Sequence, residues 1–160
     1  MFEKKVIKIA IVDNNKILRE ALRHILSKAT DIEVVDEADD GFGAIEIARK
    51  GVADLIILEP IIPKKEGIDI TRDIVAINQN VAVLILTLDD TPNNAFRMLK
   101  AGATGWISKT TDSTTLVKAI QQVFQKRVYL PKDLQTVFAE RYLGKNHINQ
   151  PEEKLSDREY

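Results

Sequence analysis

Cysteine is missing from all 160 residues, so the chain has no disulfide framework and no thiolate metal site. That composition fits a reducing cytoplasm. An excess of one charge is missing too: 23 basic residues meet 24 acidic ones, for a net charge of -1. Such a balance argues against a dedicated nucleic-acid or polyanion surface in this segment. The longest apolar runs are far too short to cross a bilayer, so no membrane association is expected. Met1-Phe2-Glu3-Lys4-Lys5 has no long apolar core behind its charges, so no signal peptide is expected. Histidine is scarce: His24 lies in a helical pattern and is expected to face solvent, and His147 lies in a polar stretch. Neither has a metal-ligand set around it. The sequence also lacks a nucleophile–base pair and a glycine-rich cofactor loop, and this argues against an enzyme. It has ample apolar content, 44%, to build a core, and its length suits one domain plus an appendage.

Strand and helix patterns alternate from Val6 to Phe124. Val6 to Val12 reads as a first strand, ending in the helix-start residues Asp13-Asn14-Asn15. Ile17, Leu18, Ala21, Leu22, Ile25 and Leu26 then form one helical face. Ile32 to Val35 reads as a second strand. A helix carrying Phe42, Ile45, Ile47 and Ala48 follows, stopped by Lys50-Gly51. Leu55 to Leu58 is a short isoleucine-rich run of the kind buried on both faces of a parallel sheet. Glu59 sits where that run ends, and Pro60 stops the ladder. An amphipathic helix over Ile68 to Ile77 leads to a fourth strand, Val81 to Leu86, with Thr87 at its end. Pro92 opens the next helix, through Phe96 and Leu99 to Ala101-Gly102. Gly105 to Ser108 is a fifth strand ending at Lys109. Thr110 to Ser113 caps a helix whose core face is Leu116, Val117, Ile120, Val123 and Phe124. Short connections and this alternation predict an α/β fold, a doubly wound five-stranded parallel sheet with helices on both faces in the flavodoxin-like order. Val128-Tyr129-Leu130-Pro131 then introduces a linker helix, Lys132 to Leu143, and Lys145 to Lys154 reads as a polar linker. Ser156 and Glu159 form a capping box that starts another helix. The expected organisation is therefore one domain over 1–127, a linker helix and polar linker over 128–154, and the opening of a further domain over 155–160.

The functional candidates gather at the strand ends. Asp13, Asn14, Glu59, Thr87 and Lys109 all follow strands of one parallel sheet, so they can converge on one edge. Carboxylate and carbonyl oxygens there can hold a hard divalent cation such as magnesium. A lysine ammonium and a threonine hydroxyl can hold an anionic group beside it. The combination suits phosphoryl transfer, which needs positioning and charge neutralisation more than covalent machinery. Each residue also has a plain structural reading: Asp13 or Asn14 as a helix cap, Thr87 as a strand residue, Lys109 as a solvated loop lysine, Trp106 as packing. The arrangement is more specific than any one member.

These motifs resemble the receiver domain of bacterial response regulators, from Ile7 to about Phe124. Ile9-Ala-Ile-Val-Asp-Asn-Asn-Lys-Ile-Leu-Arg-Glu20 looks like the family's acidic-pair segment, and Asp54 to Gly67 like its phosphoacceptor strand and loop. Leu84-Ile-Leu-Thr87 and Ala101-Gly-Ala-Thr-Gly-Trp-Ile-Ser-Lys109 resemble its threonine and lysine strands. The latter, with Val128-Tyr-Leu-Pro131, is similar to the NarL/FixJ class, and Leu155-Ser-Asp-Arg-Glu-Tyr160 looks like the opening of a LuxR-type helix-turn-helix. The resemblance implies a cytoplasmic, non-enzymatic signal-input domain of a two-component transcription regulator, acting as a homodimer and binding DNA through that further domain. It also implies a magnesium site at Asp13, Asn14, Glu59 and Ile61, and Thr87, Trp106 and Lys109 as switch residues; the family's usual partner is a sensor histidine kinase, which nothing in this sequence identifies.

The departures from the family pattern bear on all of this. Glu59 stands where the family has its phosphoacceptor aspartate, and Asn14 where it has a second acid. Losing one charge weakens the metal site. Lys109 precedes Thr110, where many relatives have proline. Three readings follow: an atypical receiver independent of phosphorylation; a conventional regulator with an engineered phosphomimetic Glu59; and a small flavodoxin-like enzyme using Glu59 as acid or base.

Overall fold

A computed structural model of the protein describes residues 5–89 and 91–147. Five parallel strands alternate with helices. β1 spans Ile7–Val12, β2 Ile32–Ala38, β3 Leu55–Leu58, β4 Ala82–Thr87 and β5 Gly105–Ser108. The helices are α1 Lys16–Ser27, α2 Gly41–Lys50, α3 Gly67–Ile77, α4 Pro92–Ala101, α5 Ser113–Phe124 and α6 Lys132–His147. The strand order is β2-β1-β3-β4-β5, the doubly wound order expected from the sequence.

Side-chain alternation divides the core into two layers. Ala10, Val12, Ile56, Leu58, Val83, Ile85 and Trp106 point to one face, where α2, α3 and α4 cover them. Ile9, Ile11, Leu55, Ile57, Leu84, Leu86 and Ile107 point to the other, beneath α1 and α5. The four residues of β3 are fully buried on both faces, which is why that run carries no polar residue.

The helices begin where side chains satisfy their free N–H groups. Asn15 accepts from the Leu18 N–H, Asp40 from Gly43 and Asp112 from Thr115. Gly51 closes α2 in the left-handed region at φ 67°.

Three expectations are corrected. Ile17 is 78% exposed and Ala21 is exposed as well. The buried stripe of α1 runs through Leu18, Leu22 and Leu26, and one residue back along a helix is a turn of about 100°. Phe42, in the first turn of α2, is exposed, while Ala44, Ile45, Ile47 and Ala48 form the buried face. The helix after Lys132 continues to His147, three residues into the stretch read as polar linker. The capping box at Ser156 and Glu159 lies outside the described residues.

Candidate functional site

The register of the sheet brings the candidates together. Val12 pairs with Leu58, so Asp13 and Glu59 leave adjacent strands side by side. The Glu59 N–H donates to the Val12 carbonyl at 2.9 Å, and the Asp13 N–H to the Ala38 carbonyl at 3.1 Å. Two strands further on, Thr87 pairs with Ser108, and the Lys109 N–H donates to the Thr87 carbonyl at 2.9 Å.

Lys109 is the centre of the cluster. Its Nζ lies 2.8 Å from Asp13 Oδ2 and 2.9 Å from Glu59 Oε1. Asp13 is 3% exposed and Glu59 9%. Burial alone disfavours the lysine charge; hydrogen bonds to Asp13 and then Glu59, with their Coulomb attraction, outweigh it and raise the Lys109 pKa above its ordinary value. Asp13 Oδ1 accepts from the Asn15 N–H at 2.8 Å. Among the described residues, Glu59 Oε2 is the buried side-chain oxygen without a hydrogen-bond donor. An unsatisfied buried acceptor of this kind is destabilising and marks a place where a donor is wanted.

The remaining candidates stand outside these ion pairs. Thr87 is buried, and its Oγ1 accepts from the Asp89 N–H at 3.2 Å. Asp89 in turn accepts from the Thr91 N–H at 2.9 Å. Burial opposes the charge of Asp89, but hydrogen bonds from Thr91 and Asn94 hold its pKa below the usual carboxylate value. Trp106 is 2% exposed and packs in the layer beneath α4. Asn14 and Ile61 are exposed on the rim, Ile61 by 72%. Ile61 lines a cleft of about 190 Å³ together with Pro60, Glu66, Asp89, Met98 and Trp106 among others.

The donors present fit a hard divalent cation poorly. Asp13 and Glu59 each give an oxygen to the Lys109 ammonium, and the neighbour at position 14 is a neutral amide. Among the described residues no group of three or more His, Cys, Asp or Glu side chains is placed to hold a metal ion.

Arg19 was not among the sequence candidates, yet it buttresses the site. Its guanidinium donates to the Asp13 carbonyl at 2.6 Å and pairs with Glu37 at 3.1 Å. Arg23 also pairs with Glu37, and its hydrogen bond outweighs burial to lower the Glu37 pKa, with Arg19 adding to the effect. The available signal was Arg19 and Arg23 one turn apart on α1, with an acid near the end of β2.

The family model for the response regulator receiver domain matches residues 9–121. The chain belongs to the response regulator receiver family. This receiver is 31% identical over 152 residues to the transcriptional regulatory protein DegU of Brevibacillus brevis, covering 94% of this chain and 63% of that protein. It is 33% identical over 118 residues to the uncharacterized transcriptional regulatory protein YxjL of Bacillus subtilis, covering 74% of this chain and 54% of that protein. The chain thus spans between about half and two thirds of these curated relatives. The crystal structure of a LuxR-family two-component response regulator from Aurantimonas sp. SI85-9A1 superimposes with a TM-score of 0.80 at 28% identity, covering 87% of this chain and 99% of that one. The LuxR-family likeness agrees with the NarL/FixJ class read from the motifs. No helix among the described residues is long and apolar enough to cross a membrane.

Proposed function

We propose that this receiver is the signal-input domain of a DNA-binding transcription regulator and that it works without aspartyl phosphorylation. The observation that carries the reading is the Lys109 ammonium held between Glu59 Oε1 and Asp13 Oδ2, at 2.9 and 2.8 Å. The family resemblance puts Glu59 at the phosphoacceptor position. Its carboxylate extends one methylene beyond an aspartate, and an error of ~1 Å in a reacting group can lower a rate ~10²-fold. Here its Oε1 lies 2.9 Å from the Lys109 ammonium. The cation that would stabilise an incoming phosphoryl group is already neutralised by two acids.

In this reading Asp13, Asn14, Glu59 and Ile61 make at most a weakened magnesium site, and Thr87, Trp106 and Lys109 are the switch. The receiver controls self-association of two copies and, through a separate domain, binding to DNA. It acts in the cytoplasm and catalyses no reaction. The Lys109–Glu59 contact also favours a second reading, a conventional regulator in which Glu59 imitates the phosphorylated state. The imitation is partial, because a phosphoryl group carries more charge and three acceptor oxygens.

Incubation with magnesium and acetyl phosphate, followed by intact-mass measurement, separates these readings when a Glu59→Asp variant runs beside the parent. The expected result is no adduct on either folded protein. An adduct on Glu59→Asp alone would favour the second reading, and one on the parent would overturn the first.

A further inference from the structure

We infer that the cleft between the β3–α3 connection and α4 is a binding site for a small apolar α-amino acid such as leucine. This goes beyond the function above and does not depend on whether Glu59 accepts phosphate.

The size and the walls of the cleft set the body of the ligand. It holds about 190 Å³. A cavity of about 150 Å³ admits a molecule the size of benzene, so this one takes a short branched side chain with a head group beside it. Ile61, Ile68, Met98 and Trp106 are its apolar walls. Ile61 is 72% exposed, so a hydrocarbon group resting against it removes apolar surface from water.

The charged residues set the head group. Glu66 and Asp89 line the cleft from two connections, the one before α3 and the one before α4. The Glu66 side chain makes no capping bond to α3 and is exposed. Asp89 accepts from the Thr91 N–H through Oδ1 and from Asn94 Nδ2 through Oδ2, and each oxygen keeps a second acceptor position. Asn94 also lines the cleft, and with its Nδ2 on Asp89 it has a carbonyl oxygen to offer. Such acceptors suit an ammonium, which brings three donors and no acceptor. Among the described residues of the lining, Arg97 is the cation, and a guanidinium matches a carboxylate in shape and charge.

Other ligand classes meet a conflict. Two acids against one arginine disfavour a phosphate or a simple anion. A bare amine meets the Arg97 charge with nothing to offset it. Among the described residues no group of three or more acidic or histidine side chains is placed to hold a metal ion. A zwitterion with an apolar side chain satisfies the walls and both signs of charge at once.

Titration of the 160-residue chain with L-leucine tests this, read by the emission of Trp106, the single tryptophan, and by amide NMR spectra. A ligand of about nine heavy atoms should saturate in the micromolar to millimolar range, with shifts centred on residues 60–68 and 89–98. Isoamylamine lacks the carboxylate and isocaproate lacks the ammonium; each should bind about tenfold more weakly, the worth of one charged hydrogen bond. Arg97→Gln should remove the preference for leucine over isoamylamine. Glu66→Gln and Asp89→Asn together should remove the preference over isocaproate. A preference is a ratio measured on one protein, so a variant that is merely less stable keeps it. No saturable change up to about 20 mM leucine overturns the site. Equal binding of the three compounds, or preferences that survive the substitutions, overturns the assignment of the head group. Shifts centred away from the cleft overturn its place.

Discussion

Lys109 holds two carboxylates that the sheet edge has withdrawn from water. Replacing it with methionine keeps the aliphatic stem and removes the charge, leaving Asp13 and Glu59 buried side by side. Breaking a buried ion pair from one side destabilises by roughly 3–5 kcal/mol. Lys109 retains some solvent contact, so the lower end, about 3 kcal/mol, is expected for Lys109→Met in urea unfolding. The pH dependence has a definite sign. The folded pKa of Lys109 is raised, because its bonds to Asp13 and Glu59 outweigh burial. The stabilisation is therefore full below the unfolded value of about 10.4 and is lost as pH rises through the folded value. A urea midpoint that falls more steeply above pH ~10 in the parent than in Lys109→Met is the expected result; parallel curves would refute it. Of the five residues expected to converge, the structure joins Asp13, Glu59 and Lys109, while Asn14 is exposed and Thr87 Oγ1 bonds to the Asp89 N–H. The sequence could place the three together because parallel strand ends share an edge. It did not tell that Lys109 would bridge both acids, that Glu59 Oε2 would be left without a donor, or that Arg19 would brace Asp13 from behind. Those depend on rotamers and on a helix–strand contact that no local spacing encodes.

Among the elements, the β3–α3 connection is the tightest join in the site. A Cβ on Gly67 would lie 2.5 Å from Pro60 Cβ, 2.7 Å from Pro60 Cα and 2.8 Å from the Pro60 carbonyl oxygen. Two of those atoms are backbone, so the loop must shift rather than a side chain swing away. Overpacking of this kind destabilises by about 1–3 kcal/mol, and Gly67→Ala is expected to fall in that range by thermal unfolding. Pro60 follows Glu59 directly, so the same variant should weaken the Glu59–Lys109 contact, seen as a change in the Lys109 Nζ resonance by NMR. An unchanged melting temperature and resonance would refute the close-approach argument. The strands were the most legible elements, since a run such as Leu55–Leu58 buried on both faces has no polar interruption. Helix faces were less so. Ile17 and Phe42 satisfy an apolar spacing yet lie in first turns, off the buried stripe. Apolarity alone does not say which flank of a helix meets the sheet.

For the whole molecule, the boundary drawn from the sequence at residue 127 divides what packing unites. Composition changes after Phe124, but Tyr129 completes the edge of β5, and Leu134 is a core residue. A sequence pattern cannot show this, because α6 presents apolar residues on more than one side and its seat lies on a helix some forty positions earlier. The consequence is measurable with Trp106, the single tryptophan of the chain and 2% exposed. A protein ending at Arg127 loses Leu134 burial, worth about 1.5–3 kcal/mol, and the Phe96–Phe138 pair, worth about 0.5–1.5 kcal/mol. The loss is expected to show as a lower urea midpoint than the parent's. Trp106 emission should move to longer wavelength as its covered side opens. A protein ending at Gly144 keeps Tyr129, Leu134 and Phe138 with their contacts, and should match the parent in both respects. If the shorter protein matched it as well, 1–127 would be a self-sufficient body and α6 merely attached. If only the longer one does, the folded unit of this receiver includes the helix that leads out of it.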